Sequence, residues 1–182
     1  PFFVCIGAQR SATTWIYRTL SNIDGISLPD TKEIDFFRYL GNYSHGFEWY
    51  QKHFENANMN LDITPEYAVA DESIELIAKH LGDRAKILLV VRDPIERIVS
   101  AYQKHIRNGD LQCDFEFFIK YNIDHCVDRS LYGPTIKRAS KYYQPTILIY
   151  EDIKKNPAIW LEGINKFFGV NIDLEKSKSK FN

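Results

Sequence analysis

The chain has little cysteine, no long hydrophobic run and no excess of either charge, and each shortage removes a class of function. Three cysteines among 182 residues, Cys5, Cys113 and Cys126, are too few for a disulfide framework. They lack metal-ligand spacing, and His45, His53, His80, His105 and His125 form no metal-spaced pair with a carboxylate or thiol. No metal is therefore expected. Cys5 lies in an apolar run and reads as a buried thiol, while Cys113 and Cys126 could pair in an oxidising compartment but nothing requires it. There is no apolar span of membrane length and no signal or transit peptide pattern. Lys and Arg number 23 against 24 Asp and Glu, a formal net charge of -1, which gives no support to nucleic acid or a membrane surface as partner. Any anion site must come from local placement of basic groups. Repeats are absent, and the one biased stretch is the polar tail 175–180, read as a solvated end.

What is present is an ordinary globular composition, 45% hydrophobic and 26% charged, on a length that suits one domain spanning residues 1–182. Three short β-branched or aromatic runs, Phe2–Ile6, Ile87–Val91 and Thr146–Tyr150, read as buried parallel strands, with a weaker candidate at Asn60–Ile63. Helical patterns fall between them at Thr13–Leu20, Ser73–Leu81, Pro94–Arg107, Phe115–Tyr121, Thr135–Tyr143 and Pro157–Phe168. Strands alternating with helices predict an α/β fold: a P-loop-like three-layer arrangement, with a central parallel sheet and helices on both faces. Ligands in such folds sit beyond the C-terminal strand ends.

The most informative segment is Phe2 to Trp15, an apolar strand, a glycine, a turn of small residues and a helix start. That order gathers backbone N–H groups and a helix dipole at one point, which makes an anion site. A Walker A loop would place a lysine at the helix start; the frame from Gly7 gives Ala12-Thr13-Thr14 there, and the loop's cation is instead Arg10. A second grip follows another strand: Arg92 at its end and Ser100 about two turns into the next helix offer a guanidinium fork and a hydroxyl. Taken alone, Arg92 could equally be half of a surface pair with Asp93 or Glu96. Taken together, the two grips point to a nucleotide with phosphates at two positions.

These residues resemble the sulfotransferases that use 3'-phosphoadenosine 5'-phosphosulfate (PAPS). Gln9-Arg10-Ser11-Ala12-Thr13-Thr14-Trp15 stands where that family commonly has P-K-S-G-T-T-W, and Arg92-Asp93-Pro94 with Arg97 and Ser100-Ala101-Tyr102 is similar to its 3'-phosphate motif. Lys32-Glu33-Ile34-Asp35-Phe36-Phe37 resembles the K-E-x-x-F-F segment of its glycan-modifying and related bacterial branch, and Asp62 to Tyr67 and Tyr150-Glu151-Asp152 resemble further family segments. The resemblance runs from about Phe3 to Val170. It implies that Arg10, Ser11, Ala12, Thr13 and Thr14 hold the 5'-phosphosulfate, that Arg92 and Ser100 hold the 3'-phosphate, that Trp15 flanks the adenine and that Tyr132 lies near the nucleotide. It makes Glu33 the general base, with Lys32 beside it to orient the sulfonate or tune Glu33. Asp35 is a further candidate carboxylate on the acceptor side. The implied acceptor carries a hydroxyl or amine, a carbohydrate among the candidates. Localisation is read as cytoplasmic, or as the Golgi lumen if the chain is an excised domain of a type II membrane protein.

The sequence also departs from the family pattern. Arg10 replaces the usual lysine and, staying protonated, suits electrostatic stabilisation rather than acid catalysis. Ala12 replaces a glycine, so the backbone there is expected to avoid positive φ. A basic, glycine-containing loop that usually closes over the nucleotide has no recognisable copy before Asn182, which reads as truncation at the C-terminus or a missing lid. Trp15 and Tyr132 have simple core packing as their rival reading, and the aromatics at Phe36-Phe37 and Phe47–Tyr50 are either acceptor-pocket lining or core. Rival functions for the whole chain are a P-loop kinase or NTPase and a non-catalytic nucleotide-binding domain.

Overall fold

The computed structural model describes residues 1–21, 23–54 and 58–172. The elements in chain order are β1 (Phe2–Gly7), α1 (Thr13–Leu20), β2 (Ile26–Ser27), α2 (Phe47–Gln51), β3 (Met59–Ile63), α3 (Ser73–Leu81), β4 (Ala85–Val91), α4 (Pro94–Asn108), α5 (Phe115–Lys120), α6 (Tyr132–Ala139), β5 (Thr146–Ile149), α7 (Asp152–Lys155) and α8 (Pro157–Phe168). The five strands form one sheet in the order β2-β3-β1-β4-β5, and every pairing is parallel. The polar tail 175–180 lies outside the described residues.

β1 occupies the centre, and all six of its residues are buried. Alternate side chains feed two cores. Phe2, Val4 and Ile6 pack with Ile74, Ile77 and Leu81 of α3 on one face; Phe3 and Cys5 pack with Ile16 of α1 and Trp160, Ile164 and Phe168 of α8 on the other. A strand covered on both faces has no polar side, which is why it reads as a continuous apolar run. Each such aliphatic or aromatic side chain contributes roughly 1.5–3 kcal/mol through burial.

The strand and helix expectations correspond to observed elements, with shifted ends. α6 begins at Tyr132, ahead of the expected Thr135, because proline is tolerated in a helix's first turn and Pro134 sits there. β2, α2 and α7 carry no sequence period long enough to reveal them. Cys5, Cys113 and Cys126 are free thiols. Among the described residues no helix is long and apolar enough to cross a membrane.

Candidate active site

β1 ends at Gly7, where the register against β4 shifts. A Cβ on Gly7 would come within 3.0 Å of the Ala68 Cβ and 3.3 Å of the Pro65 carbonyl, so the turn leaves the sheet pressed against the segment that follows β3. Arg10 and Ala12 both take left-handed backbone, with φ of 68° and 63°. The expectation that Ala12 avoids positive φ is therefore wrong: α1 must start sharply off the sheet, and an alanine is held where a glycine would rest without strain. No side chain caps α1 at Ala12. By contrast the Asp93 carboxylate caps α4, accepting from the Ile95 and Glu96 amides at 3.0 and 2.9 Å. The start of α1 therefore leaves its first amides without a side-chain partner, facing the candidate anion site.

The two grips come together directly. Arg10 Nε donates to Ser100 Oγ at 3.1 Å, and Arg92 Nη1 donates to the Arg10 carbonyl at 3.1 Å. A cleft of about 400 Å³ opens between them, walled by Arg10, Ser11, Ala12, Thr13, Thr14 and Trp15 on one side and by Arg92, Ser100 and Tyr150 on the other. Ile153 and Lys154 close its end, and no carboxylate lies on the wall among the described residues. Burial, then Arg107, then Arg92 push the Arg10 guanidinium below its ordinary range. Arg92 Nη2 also lies 3.6 Å from the exposed Glu96, the surface pair that the sequence allowed, so the cation crowding that an anion relieves centres on Arg10. Ser11 Oγ and Arg92 Nε are buried without a hydrogen-bond partner among the described residues. Buried polar atoms left in this way ask for a ligand, and phosphate oxygens supply the matching acceptors. The donor set fits a nucleotide bearing two phosphate groups.

Trp15 packs in the core and is also among the residues that line the cleft. It is 7% exposed and tilts against Trp160 with ring centroids 5.9 Å apart. Tyr132 is not on that wall. Its hydroxyl donates to the Arg92 carbonyl at 2.9 Å, so it holds the strand end that presents Arg92. Sequence reasoning did not assign Tyr150 or Glu151 a role. The Arg92 guanidinium lies 4.4 Å from the Tyr150 ring centroid, and Glu151 accepts from the Asp93 amide at 2.9 Å. The Tyr150-Glu151-Asp152 motif was the available signal.

Glu33 stands on the connection between β2 and α2, with φ of 67° and its carboxylate in contact with the Lys32 ammonium. Lys32 is near enough to β1 to pull the Cys5 thiol down, although burial outweighs it and pushes that thiol up to about 12. The residues after Glu33 anchor it. Phe36 and Phe37 are fully buried, which corrects the pocket-lining alternative: they are core. Their amides donate to the Tyr67 hydroxyl at 2.8 and 3.2 Å. Tyr67, Thr64 and Tyr50 in turn donate to Asp62, a fully buried carboxylate on β3, at 3.0, 2.7 and 3.3 Å. The Tyr50 ring is core as well, and Phe47 and Trp49 pack against the same cluster. Asp35 is not free for an acceptor, because Arg38 Nη2 and Nε hold its carboxylate at 2.6 and 3.0 Å.

The family model described as "Sulfotransferase domain" matches residues 2–181. The human "Bifunctional heparan sulfate N-deacetylase/N-sulfotransferase 2" is 28% identical over 98% of this chain, which spans only 23% of that protein. The "Membrane-associated sulfotransferase kil1" of Dictyostelium discoideum is 32% identical over 68% of the chain and 28% of its own length. Among solved structures, a sulfotransferase from Alicyclobacillus acidocaldarius superimposes with a TM-score of 0.81 at 21% identity, covering 96% of this chain and 83% of that one. A mouse sulfotransferase complexed with PAP superimposes at 0.64 with 20% identity, covering 98% and 62%. At these identities the structural likeness speaks for the fold.

Proposed function

The chain belongs to the sulfotransferase domain family, and on that premise we propose that it moves the sulfuryl group of PAPS to a hydroxyl or amine of an acceptor, with Glu33 as the general base. The observation that carries this reading is the pair of hydrogen bonds from Arg10 to Ser100 and from Arg92 to Arg10, which gathers both grips around one cation-rich cleft. Arg10, Ser11, Ala12, Thr13 and Thr14 hold the 5'-phosphosulfate there. Arg92 and Ser100 take the 3'-phosphate, and Trp15 borders the adenine. Tyr132 acts through the Arg92 backbone rather than on the nucleotide.

Sulfuryl transfer resembles phosphoryl transfer in depending on alignment and charge stabilisation. The Glu33 carboxylate takes the acceptor proton as the acceptor oxygen or nitrogen bonds to sulfur. The S–O bond to the 5'-phosphate breaks, and its electron pair stays on the phosphate oxygen, giving 3'-phosphoadenosine 5'-phosphate (PAP). Arg10 and the amides at the start of α1 stabilise that growing charge, so the step calls for no metal. Lys32, in contact with Glu33, orients the carboxylate. The relatives named for heparan sulfate make a carbohydrate a natural first acceptor to test.

The test is transfer of radiolabelled sulfur from PAPS to glycan, phenol and amine acceptors, alongside calorimetric binding of PAP. Glu33→Gln should lose about 10²–10⁴-fold in turnover, the usual worth of a positioned base, while PAP affinity stays unchanged. Arg92→Ala should weaken PAP by about 1.5–3 kcal/mol, the worth of a hydrogen bond to a charged group. A protein that binds ATP with magnesium but not PAP would defeat the reading.

A further inference from the structure

A second cleft adjoins the segment that packs against the start of the anion loop, and we infer that this cleft receives the acceptor and that the portion it holds is an uncharged, hydroxyl-rich sugar rather than a polyanion. The inference rests on the sulfotransferase reading above. The cleft measures about 490 Å³ and lies between the segment after β3, residues 38–40 and residues 125–138. Ala68 forms part of its wall, and the same Ala68 packs against Gly7 where the anion loop begins. Arg38, also on the lining, follows Glu33 by five residues, on the connection that Tyr67 and Thr64 pin to β3. Glu33 lines neither cleft, but the connection that carries it reaches the second cleft at Arg38, and Ala68 joins that cleft to the anion loop.

The two clefts differ in charge. On the nucleotide-cleft wall no carboxylate stands among the described residues; Arg92 reaches only the exposed Glu96, at 3.6 Å, and Arg10 meets none. In the second cleft every arginine on the wall is already matched. Arg129 makes a two-pronged pair with Glu66 at 2.7 and 3.0 Å. Arg38 holds Asp35 at 2.6 Å and approaches Glu66 at 3.8 Å, and Arg138 meets Asp71 at 3.2 Å. Glu72 and Asp128 add further negative charge to the lining. A sulfated or carboxylated chain would have to separate these pairs and then face the released carboxylates, a cost with nothing to offset it. Sugar hydroxyls meet no such cost, because each can donate to a carboxylate oxygen and accept from a guanidinium N–H that the pair leaves unused. Leu40, 90% exposed, and Leu131, 55% exposed, offer apolar surface for the C–H face of a ring.

The experiment begins with PAP binding by calorimetry, since its absence removes both the sulfotransferase reading and this inference. With PAP bound, neutral glucan, chitin and xylan fragments are compared with heparan sulfate as acceptors of radiolabelled sulfur, and binding of the same probes is followed by saturation-transfer NMR. A neutral fragment should be sulfated, with an acceptor KM that moves less than about twofold between about 50 and 500 mM salt, because no net charge is screened. Val69→Trp, which fills the cleft, should raise that KM about tenfold or more with PAP affinity unchanged, the pattern of lost ground-state binding. Leu131→Trp, at an exposed position on the rim, serves the same purpose if the first variant does not fold. Turnover with heparan sulfate alone, a steeply salt-dependent KM, or no neutral fragment bound or sulfated while PAP binds would overturn the class of acceptor. An acceptor KM untouched by both tryptophans would overturn the location.

Discussion

Asp62 has no exposed surface, and three hydroxyls surround it. Burial lifts its carboxyl from the usual 3.8 to about 6, against the opposing pull of Thr64, Tyr67 and Tyr50. The folded chain therefore binds this proton more tightly than the unfolded chain does. Its contribution to stability is fullest below about pH 4 and falls as pH rises to about 6, by on the order of 3 kcal/mol in all. Denaturant melts of wild type and Asp62→Asn from pH 4 to 7 should show wild type losing ground to the variant across that window. Parallel curves would mean that Asp62 does not titrate there. Ala12 gives a second prediction. An L-residue in left-handed backbone costs roughly 1–2 kcal/mol, while glycine's extra freedom in the unfolded chain returns roughly 0.4–1 kcal/mol of that. Ala12→Gly should therefore raise stability by about 0.5–1 kcal/mol, seen as a higher Tm. A lower Tm would show that the alanine methyl contributes packing that outweighs the strain. The sequence supplied the departure from glycine at this position but not its sign, because φ is set by how the loop must turn from β1 into α1.

At the scale of elements, α4 was the most legible helix. Pro94 opens it, Gly109 closes it in left-handed backbone, and Asp93 caps it. Asp93→Ala should cost about 1 kcal/mol by removing that cap. Because α4 also carries Ser100 and follows Arg92 directly, PAP affinity should fall with it, as calorimetry would reveal. Unchanged affinity would mean that Arg92 and Ser100 are placed without the cap, through Tyr132 and Tyr150. The start of α6 was less legible, because a proline in the first turn hides the residues before it. The connection carrying Glu33 has no periodic pattern at all. Its shape follows from the burial of Ile34, Phe36 and Phe37 and from the Tyr67 hydroxyl that satisfies two of its amides.

The molecule as a whole has a cation-rich cleft at the loop after β1 and a charge-balanced one beside the segment after β3 that packs on that loop. PAP at about a hundred times its Kd should stabilise the domain by about 2.7 kcal/mol, a Tm rise of roughly 5–10 °C for a chain of this size. The rise should shrink at high salt, since the attraction is between charges. A salt-independent shift would argue that stacking on Trp15, not the arginines, carries the binding. The sequence by itself determined the α/β class and pointed to the loop after β1 and to Arg92 with Ser100 as candidate grips, because each is written in a strand, a turn and a helix start that adjoin along the chain. Tertiary structure alone decided which aromatics are core, that Arg97 is buried against the Cys126 carbonyl, that Tyr132 serves the Arg92 backbone, and that Glu66 neutralises Arg129 from 63 residues away. Charge and burial at those positions depend on partners distant in sequence, and residue type fixes what a side chain can bond to without fixing which partner the fold brings to it.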